Sequence, residues 1–387
     1  MSLYIHIPFC IQKCLYCDFH SAPAQEEEKQ RYTELLCREI AAWAGIAGQA
    51  YGIETIFIGG GTPTCLSVPL LGKICDTVFN CFDCSLLKEF TVEANPGTVT
   101  QEHARAFADM GINRVSLGLQ SARDEELKRL GRVHDYAQFL GTYELLRREG
   151  MRNINIDLMA AIPGQSEESY RDTLQKVAAL EPEHISAYSL IVEPETVFAE
   201  WEKQGILELP SEQVDRAMYE MTGGYLQSQG YGRYEISNYA RKGRECLHNC
   251  IYWTGGEYLG LGENASSYWA GYRFCVPAEF SAYEGYITKL ESEQDWMASG
   301  LCDMVKIDVQ MQMEEFMFLG LRMMRGVSGR EFQRRFGRKM EQVYGDVLTR
   351  FIRLGFLERC GDGDVVRLTK RGIDISNQVL AEFLLDT

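Results

Sequence analysis

The chain opens on strict alternation: Leu3, Ile5 and Ile7 are apolar and Tyr4 and His6 stand between them, the period of a strand with one buried face. From Tyr32 the period becomes helical, with Leu35, Leu36, Ile40 and Trp43 on one face. Glu26–Glu28 stand at the N-terminal end, where the helix dipole favours acids. The two periods then take turns. Strand-like runs at Glu54–Ile58, Glu89–Glu93, Arg114–Leu119, Asn153–Leu158 and His184–Leu190 are separated by helical stretches over about Ser67–Phe79, Thr100–Met110, Tyr136–Arg148 and Ser166–Leu180. Six strand–helix repeats predict parallel strands with right-handed crossovers, an α/β sheet curling into a partial (β/α)6 barrel. The carboxyl ends of such strands share one face, so the loops after them converge on one site.

Past Pro210 the pattern loosens into a helix over Glu212–Gln229, the run Tyr231–Tyr239, and a Gly- and aromatic-rich stretch from Cys246 to Tyr272. Beyond Met304 a smaller unit is expected. It has a helix over Glu314–Met324 (Phe316, Leu319 and Met323 on one face) and a second over Glu341–Leu354. A hairpin around Gly361-Asp362-Gly363 and a last helix capped by Thr369 follow. The expected division is a barrel with an N-terminal cysteine loop (1–210), a barrel extension (211–303) and a C-terminal winged-helix-like α+β domain (304–387).

Charge and cysteine content narrow the chemistry. The net charge of −16 argues against nucleic acid as a general partner. The residues from Val305 onward carry 14 Lys and Arg against 12 Asp and Glu, so the acidity belongs to the larger part and the winged-helix-like unit reads as a packing module. Thirteen cysteines, an odd number with no signal-peptide pattern ahead of Cys10, fit metal chemistry in a reducing cytoplasm better than a disulfide framework. No apolar run reaches the length of a membrane span, so no membrane insertion is expected. Asn80-Cys81-Phe82-Asp83-Cys84 is an isolated C-x2-C pair and reads as surface thiols.

Three cysteines stand apart: Cys10, Cys14 and Cys17, spaced C-x3-C-x2-C directly after the first strand. Thiolates are soft ligands for zinc, copper(I) or iron–sulfur clusters. His20 could complete a Cys3His zinc set. A [4Fe–4S] cluster held by three thiolates would instead keep one iron open. The second strand ends in Gly59-Gly60-Gly61-Thr62-Pro63-Thr64, and Asp157 interrupts an apolar strand, where a carboxylate needs partners.

Taken together, the cysteine loop and the Gly59–Thr64 turn resemble the radical S-adenosylmethionine (SAM) superfamily. Glu93-Ala94-Asn95-Pro96, Gly118-Leu119-Gln120-Ser121, Leu130-Gly131-Arg132 and Asn155-Ile156-Asp157-Leu158 narrow the resemblance to oxygen-independent coproporphyrinogen III oxidases and their relatives, over nearly the whole chain. The resemblance implies a [4Fe–4S] cluster on Cys10, Cys14 and Cys17. It places SAM contacts at Tyr4, Gly60, Gly61, Thr62, Glu93, Gln120, Arg132 and Asp157, with Tyr16 beside the cluster. Arg132 could fork onto a carboxylate, and Glu93 or Asp157 could accept from an ammonium or ribose hydroxyl.

Within that branch the haem-chaperone type is favoured over the oxidases. Phe19 follows Asp18 where the oxidases resemble C-x3-C-x2-C-x-C, only nine residues precede Cys10, and His248-Asn249-Cys250-Ile251-Tyr252-Trp253 matches an HNxxYW motif associated with haem. Imidazole is a usual axial ligand and aromatic rings stack on porphyrins, so His248, Asn249, Tyr252 and Trp253 are the haem candidates, with Cys246 and Cys250 as possible thiolate donors. Haem, haem-accepting proteins and a reducing electron donor are the implied partners, for a monomer or homodimer. The alternatives are decarboxylation of two coproporphyrinogen III propionates and a zinc-stabilised binding module. Two departures from the relatives stand out: His20 in place of Asn, and Ala160-Ala161-Ile162-Pro163-Gly164 without the usual glycine before Pro-Gly.

Overall fold

A computed structural model describes residues 1–47, 52–293 and 295–385. The alternating periods become β1 (Ser2–Ile7), α1 (Glu26–Ala47), β2 (Thr55–Gly60), α2 (Val68–Cys81), β3 (Glu89–Ala94), α3 (Gln101–Asp109), β4 (Arg114–Gln120), α4 (Asp124–Arg129), α5 (Tyr136–Arg148), β5 (Ile154–Ala160), α6 (Glu167–Ala179) and β6 (His184–Ser189). β1 to β6 pair in sequence order, all parallel. The polar residues ahead of the helical stretches act as caps: Thr100, Asp135 and Ser166 each accept a hydrogen bond from the first turn.

Each barrel strand has two unlike faces. The outer face is apolar and fully buried beneath the helices, as at Leu3, Ile5, Ile56, Phe90, Val115, Ile154 and Ile156. The inner face alternates with it and is largely polar: Tyr4 and His6 on β1, Thr55 on β2, Glu89 and Glu93 on β3, Arg114 and Ser116 on β4, Asn155 and Asp157 on β5, His184 and Ser186 on β6. A polar interior cannot close on itself as an apolar core does. It surrounds a cavity instead.

The remaining elements extend and cover this half-barrel. α7 (Val197–Lys203) and α8 (Glu212–Ser228) precede the short β7 (Gly232–Arg233) and β8 (Asn238–Ala240), which pair antiparallel beyond β6. α9 (Leu247–Trp253) follows, and then β9 (Tyr258–Leu261), which pairs parallel with β1. β10 (Ser266–Trp269), β11 (Tyr272–Cys275), α10 (Phe280–Glu293) and β12 (Cys302–Lys306) continue from it, giving a sheet of twelve strands. The aromatic-rich stretch from Cys246 to Tyr272 is thus a short helix and an extension of the barrel sheet, with β9 parallel to β1 and β10 antiparallel to β9.

The C-terminal unit holds α11 (Val309–Gly320), β13 (Val327–Ser328), α12 (Gly329–Phe336), α13 (Met340–Arg353), the hairpin β14 (Leu357–Cys360) and β15 (Val365–Leu368), then α14 (Lys370–Asp374) and α15 (Ser376–Ala381). Three helices and a three-stranded antiparallel sheet share a core of Met313, Met317, Phe332, Tyr344, Leu348 and Val366, a winged-helix-like arrangement. The expected helix over Glu314–Met324 starts earlier and ends earlier. Asp308 caps Met311, and the chain turns after Gly320, where a Cβ would come within 2.4 Å of Val327. Met323 lies beyond the helix and bridges to Glu235. No described helix is long and apolar enough to cross a membrane.

Candidate active site at the two ends of the barrel

The loop after β1 carries the three cysteines to the rim of the barrel, against the glycine turn after β2. Cys10 Sγ lies 3.4 Å from Thr62 Oγ1, and Arg132 donates Nη1 to Cys14 Sγ at 3.5 Å. Cys17 N–H closes a turn onto Cys14 O at 3.2 Å. All three thiols are reduced and half-buried. Burial pushes the Cys17 thiol up to about 11, and the neighbouring Cys14 and Cys10 add to the shift. A thiol raised in this way ionises when a cationic centre binds it.

Among the described residues no three His, Cys, Asp or Glu side chains approach closely enough to hold one metal ion. His20, the would-be fourth zinc ligand, has its Nε2 3.5 Å from Glu263. Its carbonyl accepts from His6 Nε2 at 2.8 Å. His20 is thus engaged with Glu263 and His6 rather than turned to the cysteines, and Cys10 and Cys14 are tied instead to Thr62 and Arg132.

Behind the cysteines a hydrogen-bonded chain ties the rim together. Arg132 donates Nη2 to Asn95 Oδ1 (2.5 Å) and to Gly118 O (2.6 Å), and Asn95 Nδ2 donates to Thr62 Oγ1 (2.7 Å). Arg132 thus has both terminal nitrogens engaged, while its buried Nε has no partner. Gln120, at φ 72°, accepts from the Tyr188 hydroxyl at 3.3 Å. Tyr16 packs near Phe198, with ring centroids 6.5 Å apart, and burial raises its phenol pKa beside Arg132, Cys14 and Cys17.

The glycines make room for the protein's own groups. Gly60 has φ +103°, and a Cβ there would fall 2.4 Å from the His6 ring; one at Gly61 would fall 2.6 Å from Phe9 O. Gly60 N–H donates to Glu93 Oε2 at 3.0 Å. Burial, then the Asp157 charge, pushes the Glu93 carboxyl up to about 8. Tyr4 donates to His6 Nδ1 (3.0 Å) and His6 Nε2 donates to His20 O, which fixes the tautomer. Burial brings the His6 pKa down to about 4, so the ring is neutral.

At the opposite end, the strand starts, α9 closes the barrel floor. Glu89 is buried and accepts from Leu247 N (2.9 Å) and His248 N (3.1 Å), and Cys246 Sγ lies 3.4 Å away. A carboxylate from β3 therefore serves the N-terminus of α9, which has no side-chain cap of its own. His248 is buried, with Nδ1 2.8 Å from Thr55 Oγ1 and Nε2 2.7 Å from the Tyr252 hydroxyl. Thr55 donates its hydrogen to Ser2, so His248 Nδ1 is the donor and Nε2 accepts from Tyr252. Burial and the nearby Arg114 charge hold the His248 pKa down at about 3. Both ring nitrogens are occupied, so His248 is a neutral strut here, and a metal could reach Nε2 only by displacing Tyr252.

One cavity of about 730 Å³ joins the two ends. Of the rim residues expected to contact SAM it reaches Tyr4, Gly60, Glu93 and Asp157, and of the haem candidates His248, Asn249, Tyr252 and Trp253. Gly61, Thr62, Gln120, Arg132 and Tyr16 are outside its lining, and of these Thr62 and Arg132 reach Cys10 and Cys14. Phe318 and Leu319 of α11 complete the wall. A hydrogen-bonded relay also crosses the barrel. Asn155 donates to Asp157 Oδ1 (2.7 Å) and accepts from His184 Nδ1 (2.6 Å); His184 Nε2 accepts from Tyr234, whose oxygen accepts from Cys246 N–H.

Sequence reasoning missed Glu89, Arg114, Thr55 and His184. The available signal was the polar member of each alternating strand, such as Glu89-Phe90-Thr91-Val92-Glu93, where apolar letters mark the outer face.

Comparisons with known proteins agree with this layout. Residues 4–177 match the radical SAM superfamily and residues 307–375 the HemN C-terminal domain. The chain is 36% identical over 385 residues to a protein named heme chaperone HemW from Lactococcus lactis, covering 100% of this chain and 97% of the relative. It is also 36% identical over 384 residues to a protein of the same name from Bacillus subtilis, covering 99% of each. The solved coproporphyrinogen III oxidase (HemN) of Escherichia coli superposes with a TM-score of 0.83, over 99% of this chain and 89% of that one, at 20% identity. At that identity the likeness is one of fold.

Proposed function

Because the chain belongs to the HemW family of radical SAM proteins, we propose that it binds haem and hands it to acceptor proteins, using a SAM-ligated [4Fe–4S] cluster at the barrel rim. The observation that carries this reading is the shared cavity, whose wall includes both Glu93 and Asp157 near the rim and the His248–Trp253 helix at the floor.

Cys10, Cys14 and Cys17 would hold the cluster, which with SAM bound supplies reductive cleavage of a carbon–sulfur bond. The protein's own residues bind, orient and exclude water. Tyr4 and His6 brace the glycine turn, and Glu93, protonated near neutral pH without a ligand, can release its proton to accept from the SAM ammonium. Asp157 is held by Asn155 and Ser116 in a position to take a hydroxyl. At the floor Tyr252 and Trp253 offer aromatic surface to a macrocycle, and Asn249 a polar contact. The acceptor, and an electron donor docking at the cysteine loop, complete the proposed set of partners, for a cytoplasmic monomer or homodimer.

The test uses anaerobically reconstituted protein. Haem titration followed in the Soret region should saturate at one equivalent, and the loaded protein should transfer haem to an apo-haemoprotein. Conversion of coproporphyrinogen III in the presence of SAM and reductant would reject the chaperone reading in favour of the oxidase.

A further inference from the structure

Two arginines line the cavity, and they are treated differently by their surroundings. Arg273 of β11 is held by Glu315 of α11 through two hydrogen bonds, at 2.6 and 3.2 Å. Arg114, at the start of β4, is 2% exposed and has no such partner. Its guanidinium makes one long bond, Nη1 to Thr91 Oγ1 at 3.4 Å, and its Nε is buried with nothing to donate to. Among the described residues no carboxylate lies within ion-pair distance of it.

Two carboxylates are close enough to feel its charge, and both are engaged elsewhere. Glu89 is committed to the backbone of α9, and Asp157 accepts from Asn155 and Ser116. A buried guanidinium with free donors is costly when no anion compensates it. The indole Nε1 of Trp253, on the same cavity wall, is likewise buried without an acceptor. The floor thus presents unanswered donors beside the haem-motif helix, on the side of the cavity away from the cysteines.

We propose that Arg114 is the carboxylate receptor of the cavity and pairs with a propionate of the bound macrocycle. This rests on the haem reading above and adds to it the group by which the ligand is oriented. A propionate at Arg114 would put the carboxylate edge of the macrocycle at the barrel floor. A carboxylate in the same cavity could also come from the methionine part of SAM, so the test separates the two.

Full-length reconstituted protein is titrated with haem, with haem dimethyl ester, whose propionates carry no charge, and with SAM. Wild-type protein should bind haem at least about tenfold more tightly than the diester, the factor expected of one charge-assisted pair. Arg114→Gln should weaken haem about tenfold, leave the diester and SAM unchanged, and so abolish the preference. Arg114→Lys, the variant read if the Gln protein does not fold, keeps the charge but not the planar fork and should weaken haem several-fold with the diester unchanged. Unaltered haem affinity in the folded variant, an equal loss for haem and diester, or a loss confined to SAM would each overturn the assignment. Wild-type protein that binds neither porphyrin would overturn the haem reading itself, and this inference with it; tight haem binding that ignores Arg114 overturns only the inference.

Discussion

The rim and the floor of the barrel are built on opposite principles. At the rim, sequence-local loops crowd together and their polar groups answer one another: Arg132 reaches Cys14, Asn95 and Gly118, and Asn95 reaches Thr62. At the floor, single residues from distant strands hold a seven-residue helix, and Arg114 remains without a counter-charge. On the proposed reading the rim would serve a cofactor held by the cysteines, and the floor a ligand that supplies its own anion.

That contrast can be tested from both ends. The largest effect is expected at the rim: a Cys10, Cys14 and Cys17 to Ala variant should lose all cluster absorbance after reconstitution. Its urea midpoint without metal should stay close to wild type, because the half-buried thiols carry little of the core. A large drop in midpoint would mean that the rim, too, is a structural support.

At the floor the reverse is expected. Glu89→Ala leaves the Leu247 and His248 amides buried without an acceptor, and should lower stability by about 3 kcal/mol in urea titration. The cluster should still load. Equal stability would remove Glu89 as the anchor of α9.

Glu93 gives a pH-dependent test at the rim. Its carboxyl titrates at about 8 in the fold, above the unfolded value, so the folded state holds a proton that the unfolded chain has released. The ligand-free protein should therefore lose stability as pH rises from about 5 to 8, on the order of 2 kcal/mol, and Glu93→Gln should be flatter over that range. Parallel profiles for the two proteins would place the titration elsewhere.

The smallest effect concerns a backbone position with positive φ. Ala161 adopts φ +59°, in the left-handed region that disfavours a Cβ. Ala161→Gly should raise stability by about 0.5–1 kcal/mol in urea titration, less the entropy that glycine adds to the unfolded chain. A loss of stability would show that the methyl packing outweighs the strain.

The difference between rim and floor also explains what the sequence made legible. Cys10–Cys17, Gly59–Thr64 and the strand order could be read because each is a compact run or a regular period. The helix at His248 could be located but not placed, since its contacts, Thr55 and Glu89, are 193 and 159 residues away in the chain. Arg114 is a single polar letter at a strand start; the alternation places it on the inner face but does not say what it meets there. The early end of α11 was hidden because Met323 keeps helical spacing with Leu319 while being buried beyond the turn.

β2 carries Thr55, which touches the haem-motif histidine, at one end and Gly60, which abuts His6 and Glu93, at the other. Five peptide steps of extended chain span about 17 Å. The strand is in effect a measuring rod: it sets how far apart the two proposed sites lie, and an inserted residue would change that gap by one rung while turning every inward side chain outward.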